Sequence, residues 1–141
     1  MIRDGDRVAL GGATLTAHLT PGHTKGCTSW TMVVEEDGKK CELVFYGSTT
    51  LLPGVRLVDN PKYPEMAEDF AKTFRVLKSL PCDVFLGPHG SQFGLRDKAR
   101  RLSAGERPNP FIDPAGYRAF LARSEEGFLR HRERERRGTA H

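Results

Sequence analysis

The sequence predicts an α+β fold, a mostly antiparallel sheet with helices packed on one of its faces. Three observations predict it. Short β-prone runs broken by glycine turns fill the N-terminal part, a long apolar stripe at helical spacing follows, and strands precede helices instead of alternating with them. At 141 residues, 38% hydrophobic and 28% charged, the chain has the size of one domain with room for a core.

The elements follow in order. Arg7 to Leu10 and Thr14 to Leu19 are β-prone runs joined by Gly11-Gly12, a hairpin signal, and the second leads directly into Thr20-Pro21-Gly22-His23. Trp30 to Val34 and Cys41 to Tyr46 form a second strand pair, with Glu35 to Lys40 as an exposed charged turn around Asp37-Gly38. After Tyr46 comes GSTTLLPG, a loop rich in glycine and hydroxyls. From Pro64 to Leu80, Met66, Phe70, Phe74, Leu77 and Leu80 recur at helical spacing. Pro64 suits the first turn, acids lie early and bases late as the helix dipole prefers, and Pro81 stops the helix. Asp83 to Leu86 reads as a buried strand ending at Gly87-Pro88-His89-Gly90. A second helix runs from Arg96 to about Leu102. A third begins at Asp113-Pro114, with Asp113 as cap and Tyr117, Phe120, Leu121 and Phe128 as its inner stripe. A charged tail is expected from His131 to His141.

The formal net charge is +4, and much of the basic excess lies between Arg118 and Arg137. Glu125, Glu126, Glu133 and Glu135 are interspersed there, and only Phe128 adds an aromatic ring. The stretch therefore reads as a solvated helix, and no nucleic-acid partner is expected. Cys27, Cys41 and Cys82 form no C-x-x-C pair, which excludes a zinc ribbon and a thioredoxin-like motif. No apolar run approaches the ~20 residues of a membrane span, and the opening MIRDGDRVALGG lacks a signal peptide's apolar core. Neither a membrane association nor an export signal within the chain is expected.

Two histidines are candidate metal ligands. His23 in TPGHTKGCTSW and His89 in FLGPHGSQF each follow a strand-like run and a Pro-Gly or Gly-Pro pair, and sites in sheet proteins gather at strand ends. His18 lies within a strand pattern and reads as structural; His131 and His141 read as exposed. Ser48, Thr49 and Thr50 are either turn-forming hydroxyls or substrate donors. No G-x-S-x-G elbow surrounds Ser48, and no glycine pattern fits a P-loop or a dinucleotide fingerprint. A hydrolytic zinc needs three protein ligands and a water, and no further cluster of donors at ligand spacing is present.

DGDRVALGGATLTAHLTPGHTKGCTSW, YGSTTLLPGVRLVDNPKYPEMAEDFAKTFRVLKSLPCDVFLGPHGSQF and NPFIDPAGYRAFL, in that order, closely resemble the C-terminal half of the subclass B3 metallo-β-lactamases. The resemblance covers nearly the whole chain and implies half of an αββα sandwich, so residues 1–141 are expected to form a single partial domain. It implies a site between the sheets holding two zinc ions, with His23 on the first and His89 on the second. Ser48 and Thr50 match loop positions whose hydroxyls engage the substrate carboxylate. The other four ligands belong to an H-x-H-x-D-H motif in the half that would precede Met1. Cys82 matches one end of a family disulfide, but Tyr117 stands where the other cysteine belongs, so Cys82 is expected to be buried and reduced.

The activity implied is hydrolysis of a β-lactam amide by a zinc-bound hydroxide in an exported, periplasmic or secreted enzyme. With one histidine per metal, the chain alone is expected to be inactive and to bind zinc weakly. Its expected partner is the missing N-terminal half, or a second copy meeting it through the bare sheet face, since apolar area left in water forfeits ~25 cal/mol per Å². The alternatives are a hydrolase of the same fold acting on a lactone, thioester or phosphodiester, and a non-catalytic fragment or assembly module.

Overall fold

The structure is a computed structural model that describes residues 1–138. Strands β1 (Arg7–Leu10), β2 (Ala13–Leu19), β3 (Thr28–Glu36), β4 (Lys39–Phe45) and β5 (Val84–Leu86) form one sheet in that spatial order. The first four pair antiparallel, and β5 joins β4 in parallel. Helix α1 (Met66–Ser79) is the crossover between β4 and β5, and α2 (Leu95–Ser103) and α3 (Pro114–Gly138) follow. The α+β class and the mostly antiparallel sheet are as the sequence predicts.

The β3–β4 turn is tighter than predicted. Glu35 and Glu36 pair with Lys40 and Lys39, so the six-residue turn shrinks to two residues, in which Asp37 (φ 50°) and Gly38 (φ 73°) take left-handed backbone. Opposite charges directly across the ladder favour that extension, and the turn's twist matches the strands. Helix α1 starts later than predicted, because Pro64 lies ahead of the Glu65 cap, and it ends at extended Leu80, whose conformation Pro81 requires. A short 3₁₀ turn, Gly90–Gln92, follows His89.

Helix α3 continues without a break through the charged segment as far as Gly138. His131 is half-buried and paired with Glu135, not exposed, because the helix turns both toward the rest of the chain. His141 and the last part of the predicted tail lie outside the described residues.

Two clusters make the core. Val44, Tyr46 and Phe85 on the sheet meet Leu77 of α1 and Tyr117 and Leu121 of α3; Phe70, Phe74 and Met66 of α1 meet Phe128 of α3 and Leu57 of the loop before α1. Full burial of one such side chain stabilises by about 1.5–3 kcal/mol. All helical packing thus falls on the Val44–Phe85 face. Residues opposite each other in a ladder share a face. The other face therefore carries Leu15, Trp30, Met32, Val34, Leu43, Phe45, Val84 and Leu86. None of these belongs to either core cluster, and Phe45 is 37% exposed. Leu43 on the same face is 8% exposed, so this second face is apolar and open only in part.

Candidate functional site

Alternation of strand direction brings four strand ends together. The C-terminal ends of β2, β4 and β5 and the N-terminal end of β3 all lie at one edge of the sheet. His23 follows β2, Ser48 and Thr50 follow β4, and His89 follows β5. The four residues singled out from sequence are thus delivered to one side of the sheet by topology alone.

His23 is held by a specific bond. Its Nδ1 lies 2.7 Å from the carbonyl oxygen of Thr50. A carbonyl only accepts, so Nδ1 carries the proton and, in the neutral ring, Nε2 keeps its lone pair. Metal-bound histidines are characteristically oriented this way, with the other ring nitrogen donating to a carbonyl or carboxylate. Gly22 makes the approach possible. Its φ is 132°, and a Cβ there would lie 2.8 Å from Cγ of Phe70, so the loop rests on the α1 core with no space between.

The hydroxyl loop is welded to the same edge. Gly47 N–H donates to Ser29 Oγ (3.0 Å), which shares a hydrogen bond with Thr20 (2.9 Å), and a Cβ on Gly47 would meet the Thr28 carbonyl at 2.8 Å. The Cys27 thiol lies 3.8 Å from the Ser48 carbonyl, and burial pushes its pKa up, keeping it a neutral donor. Tyr46, also pushed up by burial, meets Thr49 Oγ1 at 2.5 Å and accepts the Thr49 N–H. Thr49 is therefore a turn-forming residue. Ser48 is only 8% exposed, and its Oγ accepts the Thr50 N–H at 3.1 Å, whereas Thr50 itself is exposed.

His89 is exposed, and its backbone N–H donates to Oε1 of Gln92 (3.2 Å), which holds the start of the 3₁₀ turn. His23, Ser48 and Thr50 are directly linked; His89 shares their edge of the sheet. Among the described residues no group of three or more His, Cys, Asp or Glu side chains could hold a metal ion. His18 is structural, with Nε2 2.8 Å from Thr31 Oγ1. Sequence reasoning missed Ser29, Thr20 and Tyr46 as supports of the site, since nothing in their local pattern signals partners eighteen or fewer residues away in a fold not yet formed.

The expected burial of Cys82 needs correction. It is free and half-exposed at the N-terminal end of β5, away from the site edge, with its thiol pushed up to about 12 by desolvation and by Asp83. Tyr117 is buried beside it and donates its hydroxyl to the Leu77 carbonyl at 2.9 Å, so a large polar aromatic occupies that corner of the core.

The sheet thus carries its helices on one face, an apolar second face outside both core clusters, and two histidines on loops at one end of its strands. No protein-family profile matches the chain. Solved structures do. It is 47% identical to the FEZ-1 metallo-β-lactamase from Legionella gormanii (TM-score 0.89), covering 94% of this chain and 51% of that one. It is 38% identical to BJP-1, a subclass B3 metallo-β-lactamase of Bradyrhizobium japonicum (TM-score 0.88, 98% of this chain and 52% of that one). A Cronobacter sakazakii metallo-β-lactamase is also 38% identical (TM-score 0.87, 96% and 50%). The fold is that of the metallo-β-lactamases. The chain belongs with the subclass B3 members and corresponds to the C-terminal half of such a protein, spanning about half the length of the structures it matches.

Proposed function

We propose that this chain supplies the C-terminal part of a zinc-dependent β-lactam hydrolase, with His23 ligating one zinc and His89 the other. The bond from His23 Nδ1–H to the Thr50 carbonyl carries the reading, because it aims Nε2 away from the loop and supports the basicity a ligand needs. The donor types fit zinc, and one histidine per metal leaves the remaining ligands to a polypeptide outside this sequence. Zinc, when bound, supplies Lewis acidity and a water acidic enough to act as nucleophile near neutral pH.

The chain's own residues would bind and orient. Thr50, exposed beside the His23 loop, and Ser48, whose Oγ already accepts the Thr50 N–H and keeps its own proton to donate, are placed to receive a substrate carboxylate. Holding that carboxylate aligns the scissile amide relative to the metals, and such positioning lowers the entropic part of the barrier. The neutral Cys27 and Tyr46 beneath the loop add no competing negative charge.

The partner in this reading is a complementary N-terminal half, seated on the Trp30–Phe45 face; an exported location is part of the same proposal. Among the described residues no helix is long and apolar enough to cross a membrane. The test is complementation. The chain is mixed with the part of FEZ-1 that it does not span, zinc is titrated, and nitrocefin hydrolysis is followed. Turnover is expected from the mixture, not from the chain alone, and His23→Ala should abolish it. Two tight zinc sites with turnover in the chain by itself, or an active His23→Ala mixture, would sink the reading.

A further inference from the structure

The C-terminal half of α3 reads from sequence as a solvated charged helix, yet one of its carboxylates points inward. Glu135 Oε2 accepts the backbone N–H groups of both Leu57 and Val58, at 2.8 and 2.7 Å. Its other oxygen, Oε1, lies 2.8 Å from Nε2 of His131, whose Nδ1 lies 3.3 Å from an Arg134 guanidinium nitrogen. Arginine only donates, so Nδ1 accepts and Nε2–H donates to the carboxylate. Nearby charges in the same turn do otherwise: Glu133 pairs with Arg137, and both are largely exposed.

Leu57 and Val58 lie in the loop that leaves β4 and also carries Ser48 and Thr50. Besides the contacts of Gly47, Ser48 and Thr49, this loop, residues 47–64, is fastened at its front and at its back. At the front, the Thr50 carbonyl receives the His23 Nδ1–H. At the back, Leu57 is fully buried against Phe70 and Phe128 and its amide is held by Glu135. Between them, Leu51 and Val55 pack against the same core cluster, and Leu52, Pro53 and Gly54 form an exposed tip beside an open pocket of 390 Å³ lined also by Phe128, His131 and Arg134. The path of that tip depends on where these contacts hold the loop on either side of it.

We propose that Glu135 is a positioning residue for the metal and substrate site, anchoring the back of the 47–64 loop so that Thr50 stays in register with His23. The inference rests on His23 and Thr50 being site residues, but its geometry is testable without metal or substrate. Two charge-assisted bonds from one carboxylate to consecutive amides form a compact anion-binding turn, and such bonds are stronger than neutral ones. Removing the acceptor leaves the Leu57 and Val58 amides unheld and the back of the loop fixed by the Leu57 side chain alone, and the slack passes through the exposed tip to the Thr50 carbonyl.

The experiment uses the 141-residue chain and three variants, Glu135→Ala, Glu135→Gln and the control Glu133→Gln. Amide hydrogen exchange is read at Thr50, Leu57 and Val58, and ¹⁵N shifts of the His23 ring report which nitrogen carries the proton. Exchange at Leu57 and Val58 should accelerate about tenfold or more in Glu135→Ala. Exchange at Thr50 should also accelerate, and the His23 ring should lose its fixed Nδ1–H form. Glu135→Gln, which keeps one acceptor oxygen, should fall between, and it decides the matter if the alanine variant does not fold; Glu133→Gln should match the parent. Faster exchange at Leu57 and Val58 with Thr50 and the His23 ring unchanged would overturn the proposal and leave Glu135 a local anchor. Absence of turnover in the zinc-loaded mixture with the complementary half, when the His23 ring of the chain does respond, would instead count against the functional reading alone.

Discussion

Gly22→Ala tests how the core sets the site. A Cβ at position 22 would lie 2.8, 2.9 and 3.1 Å from Cγ, Cδ2 and Cδ1 of Phe70. That ring cannot swing away, being 1% exposed and stacked on Phe128 at 5.6 Å. Forcing a methyl against a packed ring costs about 1–3 kcal/mol. A non-glycine residue at φ 132° adds about 1–3 kcal/mol of backbone strain. The two together put the loss at about 2–6 kcal/mol, a large share of the about 5–15 kcal/mol typical of a domain. Urea unfolding followed by the fluorescence of Trp30, the sole tryptophan, measures it. In a Phe70→Leu background the smaller side chain relieves the contact but not the backbone strain, so the cost of Gly22→Ala should fall by about 1–3 kcal/mol. A cost below about 1 kcal/mol, or the same cost in both backgrounds, would refute the reasoning that the loop rests directly on Phe70.

Three further outcomes are expected. Tyr117→Phe removes the donor to the Leu77 carbonyl, which also receives the Leu80 N–H, so urea unfolding should show a loss of about 0.5–1.5 kcal/mol and no more. Phe45→Asp, at an exposed position of the Trp30–Phe45 face, should leave the isolated chain within about 1 kcal/mol of the parent, yet abolish association with a complementary half in sedimentation velocity. Asp113 has its pKa lowered by Lys98, then by the Gly116 N–H and by Arg101, against desolvation. A depressed folded pKa contributes stability that is present above the ordinary carboxylate value of 3.8 and lost as pH falls through the folded value. Asp113→Asn keeps the helix cap but not the charge, so parent and variant should differ in stability at pH 7 and converge under strong acid. A constant gap across the titration would show that the Lys98 pair is not its source.

Much of this fold is written locally. The Asp37-Gly38 turn, the apolar spacing of Met66 to Leu77 and the Asp113-Pro114 helix start are each signalled within a few residues, because turn chemistry, helical periodicity and capping act over one or two turns of chain. The candidate ligands were legible as strand-end histidines and by resemblance, and the strand order delivers them to one edge. The supports were not legible. Ser29 holding Gly47, Phe70 lying under Gly22 and Glu135 holding Leu57 and Val58 join residues that only packing brings together.

The C-terminal charges make the division plain. Alternating Arg and Glu after Phe128 are enough to specify a helix with a polar surface, since i,i+4 pairs stabilise it whatever it faces. They do not say where that helix lies. The packing of Phe128 onto Phe70 and Phe74, with Tyr117 and Leu121 buried earlier on the same helix, sets the rotation of α3, and that rotation turns Glu135 toward the loop while Glu133 faces water. Local chemistry determined the elements and the identity of the candidate ligands. Which polar groups became partners was decided by long-range burial, because a side chain's neighbours across the core depend on every element being in place.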